Sequence, residues 1–125
     1  MSEQTVILVV TDDDSTFAEV DAVLGDASTS LVHIRAGREL RPAVARHEPD
    51  LVVCDLQVGA MGGVAATLDL RLEAGAGRLE EVPVLLLVDR AADRFLAERS
   101  GADAWLQKPL EAVSLRSTAE ELLAA

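Results

Sequence analysis

The chain has 125 residues, room for one ordinary domain and too few for two. Apolar residues make up 50% of it and aromatics 2%, so its core must be built from Ala, Val and Leu, and its single cysteine excludes a disulfide framework, as suits a reducing compartment. A formal net charge of −11 argues against direct binding to nucleic acid or to anionic lipid, both of which require clustered Lys and Arg. No apolar stretch approaches the ~20 residues of a membrane span. The start, Met1-Ser2-Glu3-Gln4-Thr5, lacks the basic residues of a signal peptide. A soluble, cytoplasmic, single-domain protein is expected.

Val6 to Val10 is an unbroken apolar run, as in a strand buried on both faces, and it ends in Thr11-Asp12-Asp13-Asp14-Ser15. Phe17, Val20, Val23 and Leu24 then form one helical stripe, with Gly25 as its stop. A short strand over Ser30–Arg35 precedes a helix from about Arg38 to His47, with Leu40, Ala43 and Val44 inward and Pro42 near its start. Leu51-Val52-Val53-Cys54 is the next strand run, and it stops at a carboxylate, Asp55, followed by a loop with three glycines. A helix is expected from Val64 to Ala74, with Leu68 and Leu72 along one side, ended by Gly75-Ala76-Gly77. Pro83 introduces Val84–Val88, which stops at Asp89. A helix over Ala92–Ser100 carries Phe95 and Leu96, and a brief strand, Ala104–Gln107, is closed by Lys108-Pro109. The last helix starts at Leu110.

Five strands alternating with five helices through short loops imply right-handed crossovers and a parallel sheet covered on both faces. Strand order cannot be read from the periodicity. In a parallel sheet the carboxyl ends of the strands lie along one edge, where ligands bind. Asp12-Asp13-Asp14, Asp55 and Lys108, the only lysine of the chain, all stand at such ends. Two carboxylates about 4 Å apart repel by roughly 4 kcal/mol at an effective dielectric near 20. A cation would relieve that repulsion, and hard oxygen donors suit Mg²⁺. With a compact ammonium nearby and an Asp able to act as a nucleophile, these parts point to phosphoryl chemistry.

The chain resembles the receiver domain of two-component response regulators. The resemblance rests on the Asp12-Asp13 run after an apolar strand, D-L-Q-V-G-A-M-G-G from Asp55, Pro83 to Val88, and G-A-D-A-W-L-Q-K-P-L from Gly101 to Leu110. These appear in the family's order and span nearly the whole chain. The resemblance implies a flavodoxin-like, doubly wound sheet of order 2-1-3-4-5. It implies Asp55 as phosphoacceptor, Asp13 as a direct Mg²⁺ ligand, Asp12 holding the metal mainly through water, and the backbone carbonyl of Gln57 as a further ligand. Lys108 would contact the phosphoryl group, with a cis Lys108-Pro109 bond. Thr11-Asp12 leaves the register of the acidic pair ambiguous; Phe17 and Val20 fall on the family's apolar positions when Asp12 comes first.

The chain also departs from the pattern. Where the family has a Ser or Thr that bonds the phosphoryl group, this chain has Val88, and the usually small next residue is Asp89. The aromatic that moves on activation is Trp105, and the usual Pro of the loop after Asp55 is Gly59. His33 and His47 lack metal-pair spacing, Cys54 reads as a small buried hydrophobe, and Gly59-Ala60-Met61-Gly62-Gly63 lacks the dinucleotide fingerprint. The leading expectation is a receiver spanning residues 1–125 without an output domain, phosphorylated on Asp55 by a histidine kinase or phosphotransfer protein. It would act on a downstream protein target, with homodimerisation through the last third of the chain an additional route. It would be no enzyme beyond Mg²⁺-dependent self-phosphorylation and self-dephosphorylation. The alternative is a pseudo-receiver, binding its partners independently of phosphorylation. An independent metal-dependent hydrolase has no further base or nucleophile to support it.

Overall fold

The structure, a computed structural model, describes residues 4–59 and 61–125; Met1, Ser2 and Glu3 of the N-terminal start, and Ala60 of the glycine loop, lie outside the described residues. The chain alternates β1 (Thr5–Val10), α1 (Asp14–Leu24), β2 (Thr29–Ile34), α2 (Leu40–His47), β3 (Leu51–Asp55), α3 (Gly63–Gly75), β4 (Val84–Val88), α4 (Arg94–Arg99), β5 (Ala104–Gln107) and α5 (Ala112–Ala124). Single 3₁₀ turns, Gly37–Glu39 and Ala91–Asp93, lead into α2 and α4.

All strand pairs are parallel, in the order β2-β1-β3-β4-β5. The flavodoxin-like order expected from the resemblance is the one found. β3 and β4 are buried at every residue because helices cover both faces, which is why they read as unbroken apolar runs rather than alternating ones. Alternate residues feed two cores. Ile7, Val9, Leu51, Val53, Leu85 and Leu87 pack with Val20 of α1 and with Leu115 and Ala119 of α5. Leu8, Val10, Val52, Cys54, Val84, Leu86 and Val88 pack against α2, α3 and α4.

The register brings the functional ends of the strands level. Val10 pairs with Cys54, Asp55 with Leu87, and Val88 with Gln107. Thr11, Asp55, Asp89 and Lys108 therefore emerge along one edge. Gly63 lets α3 start tight beneath that edge: a Cβ there would lie 2.5 Å from the Asp55 carbonyl oxygen. Gly37 plays the same part beneath the loop after β3, where a Cβ would overlap the Met61 carbonyl.

Two helices turn large apolar residues outward. Leu68 and Leu72 of α3 are 44% and 71% exposed, and the stripe that faces the sheet is Ala66, Thr67, Leu70 and Glu73. Small residues there let the helix sit close to the strands, and the two outer leucines are left over. α4 is one and a half turns long, with Ala97 as its inward residue while Phe95 and Leu96 face solvent.

Candidate functional site

Asp55 ends β3 with only 2% of its surface exposed, so its carboxylate must be satisfied by protein groups. Lys108 Nζ donates to both of its oxygens, at 2.8 and 2.9 Å. The lysine is brought there from its own backbone, whose N–H donates to the Val88 carbonyl at 2.8 Å and continues the β4–β5 ladder past Gln107. A cis peptide bond joins Lys108 to Pro109, as the resemblance implied. Asp89 reaches the same ammonium at 3.4 Å. Burial pulls the Lys108 pKa down, but the hydrogen bond and charge of Asp55, and then the charge of Asp89, outweigh it, and the net direction is upward.

The acidic run after β1 divides its labour in a way that its composition does not announce. Thr11 is fully buried, and its hydroxyl donates to Asp55 Oδ2 at 2.9 Å. Asp12 turns to the loop after β3, where its Oδ2 accepts the Gly59 N–H at 3.0 Å. Gly59 in turn accepts the Gly37 N–H at 3.2 Å, so three loops are laced together around the acid. Asp13 is the N-cap of α1: it accepts the Ser15 N–H at 3.1 Å, the Ser15 hydroxyl at 3.0 and 3.1 Å, and the Thr16 hydroxyl at 2.9 Å. Those bonds, that of Thr16 first, hold its carboxyl below the ordinary Asp range. Both Asp13 oxygens thus accept hydrogen bonds within the first turn of its own helix, and Asp12 is the carboxylate that faces the loop of Asp55.

Sequence reasoning missed Thr11. The signal was the strand register: Val10 pairs with Cys54, which sets the next residues, Thr11 and Asp55, within hydrogen-bond reach, and no single sequence states that pairing. The capping role of Asp13 was more open to view, because an Asp followed two residues later by Ser and then by Thr is a helix-start pattern.

Among the described residues no three His, Cys, Asp or Glu side chains gather as a metal site. Two carboxylates remain, Asp12 and Asp55, and this donor set still fits Mg²⁺, which is held by one or two carboxylates with waters completing its shell. Gln57 lies exposed in the loop two residues after Asp55. Val88 is fully buried against the α2–α4 side and offers no hydroxyl, and Trp105, paired with Leu86, packs half-buried against the same core. His33 is structural: its ring stacks on Phe17 with centroids 4.3 Å apart, and its Nε2–H donates to the Thr11 carbonyl at 2.8 Å. Burial first, and the Asp55 charge second, push the Cys54 thiol up to about 12, so it stays protonated and inert.

The family model described as the response regulator receiver domain matches residues 7–120. The chain belongs to the receiver domain family. The response regulator Rre1 of Synechocystis is 30% identical over 99% of this chain and 54% of its own length. A putative response regulator from Chloroflexus aurantiacus has the same fold, with a TM-score of 0.88 over 98% of this chain and all of its own at 23% identity. So does the receiver domain of the sensor histidine kinase PA1611 from Pseudomonas aeruginosa, with a TM-score of 0.84 at 20% identity over 98% of this chain and 99% of its own; that structure is described with magnesium coordinated in the active-site cleft. The chain spans about half the length of the curated relatives it matches, some of which are named DNA-binding response regulators. No helix of the described residues is long and apolar enough to cross a membrane.

Proposed function

We propose that this receiver takes a phosphoryl group onto Asp55 from a phosphohistidine of a histidine kinase or phosphotransfer protein, and that its output is a protein–protein contact. The observation that carries the proposal is the buried Asp55 carboxylate gripped through both oxygens by Lys108. In the transfer an Asp55 oxygen attacks phosphorus, the phosphorus–nitrogen bond breaks, and the imidazole leaves with the electron pair and takes up a proton. Asp55 is the nucleophile. Lys108 can slide from the carboxylate onto the arriving phosphoryl oxygens, where an ammonium stabilises the spreading negative charge. Asp12, Asp55 and the Gln57 carbonyl would hold Mg²⁺, and when bound it neutralises charge on the phosphoryl oxygens. Phe95, Leu96 and Val113, exposed at 54%, 51% and 72%, supply apolar surface in the last third of the chain for a target protein or a second copy. The domain is a signalling module whose only chemistry is gain and loss of its own phosphoryl group.

Incubation with acetyl phosphate and Mg²⁺ should add one phosphoryl mass to the native protein and none to Asp55→Asn. A second reading, a module that binds its partners without phosphorylation, draws on Val88 and on the Asp89 charge at the mouth of the site. No mass gain in the native protein at any donor concentration would replace the first reading with this one.

A further inference from the structure

Thr11 is out of solvent, and the direction of its one hydroxyl proton is fixed. The hydroxyl oxygen accepts the Asp13 N–H at 3.1 Å, which leaves Asp55 Oδ2, at 2.9 Å, to receive its proton. Nor can the residue swing away. Its backbone N–H donates to the Ile34 carbonyl at 2.9 Å, and its carbonyl accepts from His33 Nε2 at 2.8 Å. Lys108 is shared between the two carboxylate oxygens, so Oδ2 receives two side-chain donors and Oδ1 only one.

We infer that Thr11 is a positioning residue that leaves Asp55 Oδ1 to bond phosphorus and reserves Oδ2 to take up charge when that bond breaks, so that its hydroxyl shortens the life of the phosphorylated state. The inference rests on the phosphoacceptor reading of Asp55 and deepens it. In the aspartyl-phosphate, Oδ1 is the bridging oxygen and Oδ2 the acyl oxygen. During hydrolysis a water oxygen bonds phosphorus and the Oδ1–phosphorus bond breaks. The electron pair returns to the carboxylate and spreads over both oxygens, and the water protons leave on inorganic phosphate and to solvent. Oδ2 is nearly neutral before this step and half an anion after it, so a hydrogen bond to it strengthens along the path. An interaction that strengthens towards the transition state lowers the barrier. Thr11 thus makes Asp55 a better leaving group.

The test compares native protein, Thr11→Val and Thr11→Ser. Each is phosphorylated with acetyl phosphate and Mg²⁺, the donor is removed, and the phosphorylated fraction is followed by intact mass. Thr11→Val removes the hydroxyl at nearly constant volume and should keep its phosphoryl group about fivefold longer. Thr11→Ser keeps the hydroxyl and should decay within about twofold of native, even where both variants lose melting temperature. Thr11→Ala takes the place of Thr11→Val if the latter does not fold. A Thr11→Val or Thr11→Ala lifetime equal to native, or a Thr11→Ser lifetime as long as that of Thr11→Val, overturns the role of Thr11 and leaves Asp55 as phosphoacceptor untouched. A native protein that takes no phosphoryl group overturns both.

Discussion

Three consecutive residues, Thr11, Asp12 and Asp13, carry three separate duties: one steadies the acid, one faces the loop beside it, and one caps a helix. The division yields a prediction at the scale of single side chains. Asp12→Asn should lose most of the Mg²⁺ affinity measured by calorimetry, because an amide is a much weaker donor to a hard cation than a carboxylate. Asp13→Asn should leave that affinity unchanged, since Asn caps a helix as well as Asp does and the Asp13 oxygens are already taken. Equal losses in the two variants would return Asp13 to the metal. Asp55 could be read from the sequence because it ends an apolar run, and a charge at the end of a buried strand is costly unless it meets a partner or a ligand; Lys108 could be read because it is the only lysine of the chain and stands at another strand end. The acidic run resisted reading because a one-residue shift exchanges its roles, and the register that decides it comes from pairing with a strand some forty residues away.

At the scale of elements, the strands were legible almost to the residue, and the helices less so. A strand buried on both faces announces itself by composition, whereas a helix must declare one face, and α3 declares a misleading one. Its inward stripe includes Glu73, a residue normally placed outside. Glu73 is tolerated there because Arg78 holds it at 2.7 and 3.1 Å and Arg41 at 3.2 Å, tying α3 to α2 and to the turn that follows. The Arg78 bond first, and its charge and Arg41 after it, outweigh partial burial and lower the Glu73 pKa. A group whose pKa is lowered by folding stabilises the fold above its unfolded value, near 4.3, and loses that contribution as pH falls through the folded value. Glu73→Gln should therefore melt below native at pH 7, and the gap should close as pH drops beneath about 4. A gap that persists unchanged into acid would mean that the glutamate acts by shape and not by charge. α4, led by a 3₁₀ turn, is shorter than the expected Ala92–Ser100, and its large apolar residues, Phe95 and Leu96, do not mark its inward face. Each is more than half exposed.

For the molecule as a whole, the open matter is how a charge placed on Asp55 at the centre of the sheet edge reaches the last third of the chain. The contacts between the two run through Lys108, whose backbone hangs from Val88 and whose ammonium is shared between Asp55 and Asp89. A phosphoryl group on Asp55 would draw the ammonium to itself and away from Asp89. Drawing the segment after β4 inward requires a group that bonds the phosphoryl oxygen, and Val88 has none. A ligand shifts a two-state equilibrium only by its differential interaction with the two states. A hydrogen bond to a charged oxygen is worth roughly 1.5–3 kcal/mol, so its absence removes about ten-fold or more from the shift. Beryllofluoride binding should accordingly change few amide chemical shifts between Asp89 and Leu110 and leave Trp105 emission nearly constant. Val88→Thr should enlarge both responses. The same substitution places a hydroxyl in a fully buried position without an assigned partner, so in the absence of the ligand it should lower stability by about 1–3 kcal/mol in urea unfolding. The two effects have opposite signs and one cause: the hydroxyl finds its partner only when the phosphoryl analogue is present. Large native shifts throughout the segment, no greater in Val88→Thr, would show that the charge on Asp55 reaches α4 and β5 without that contact.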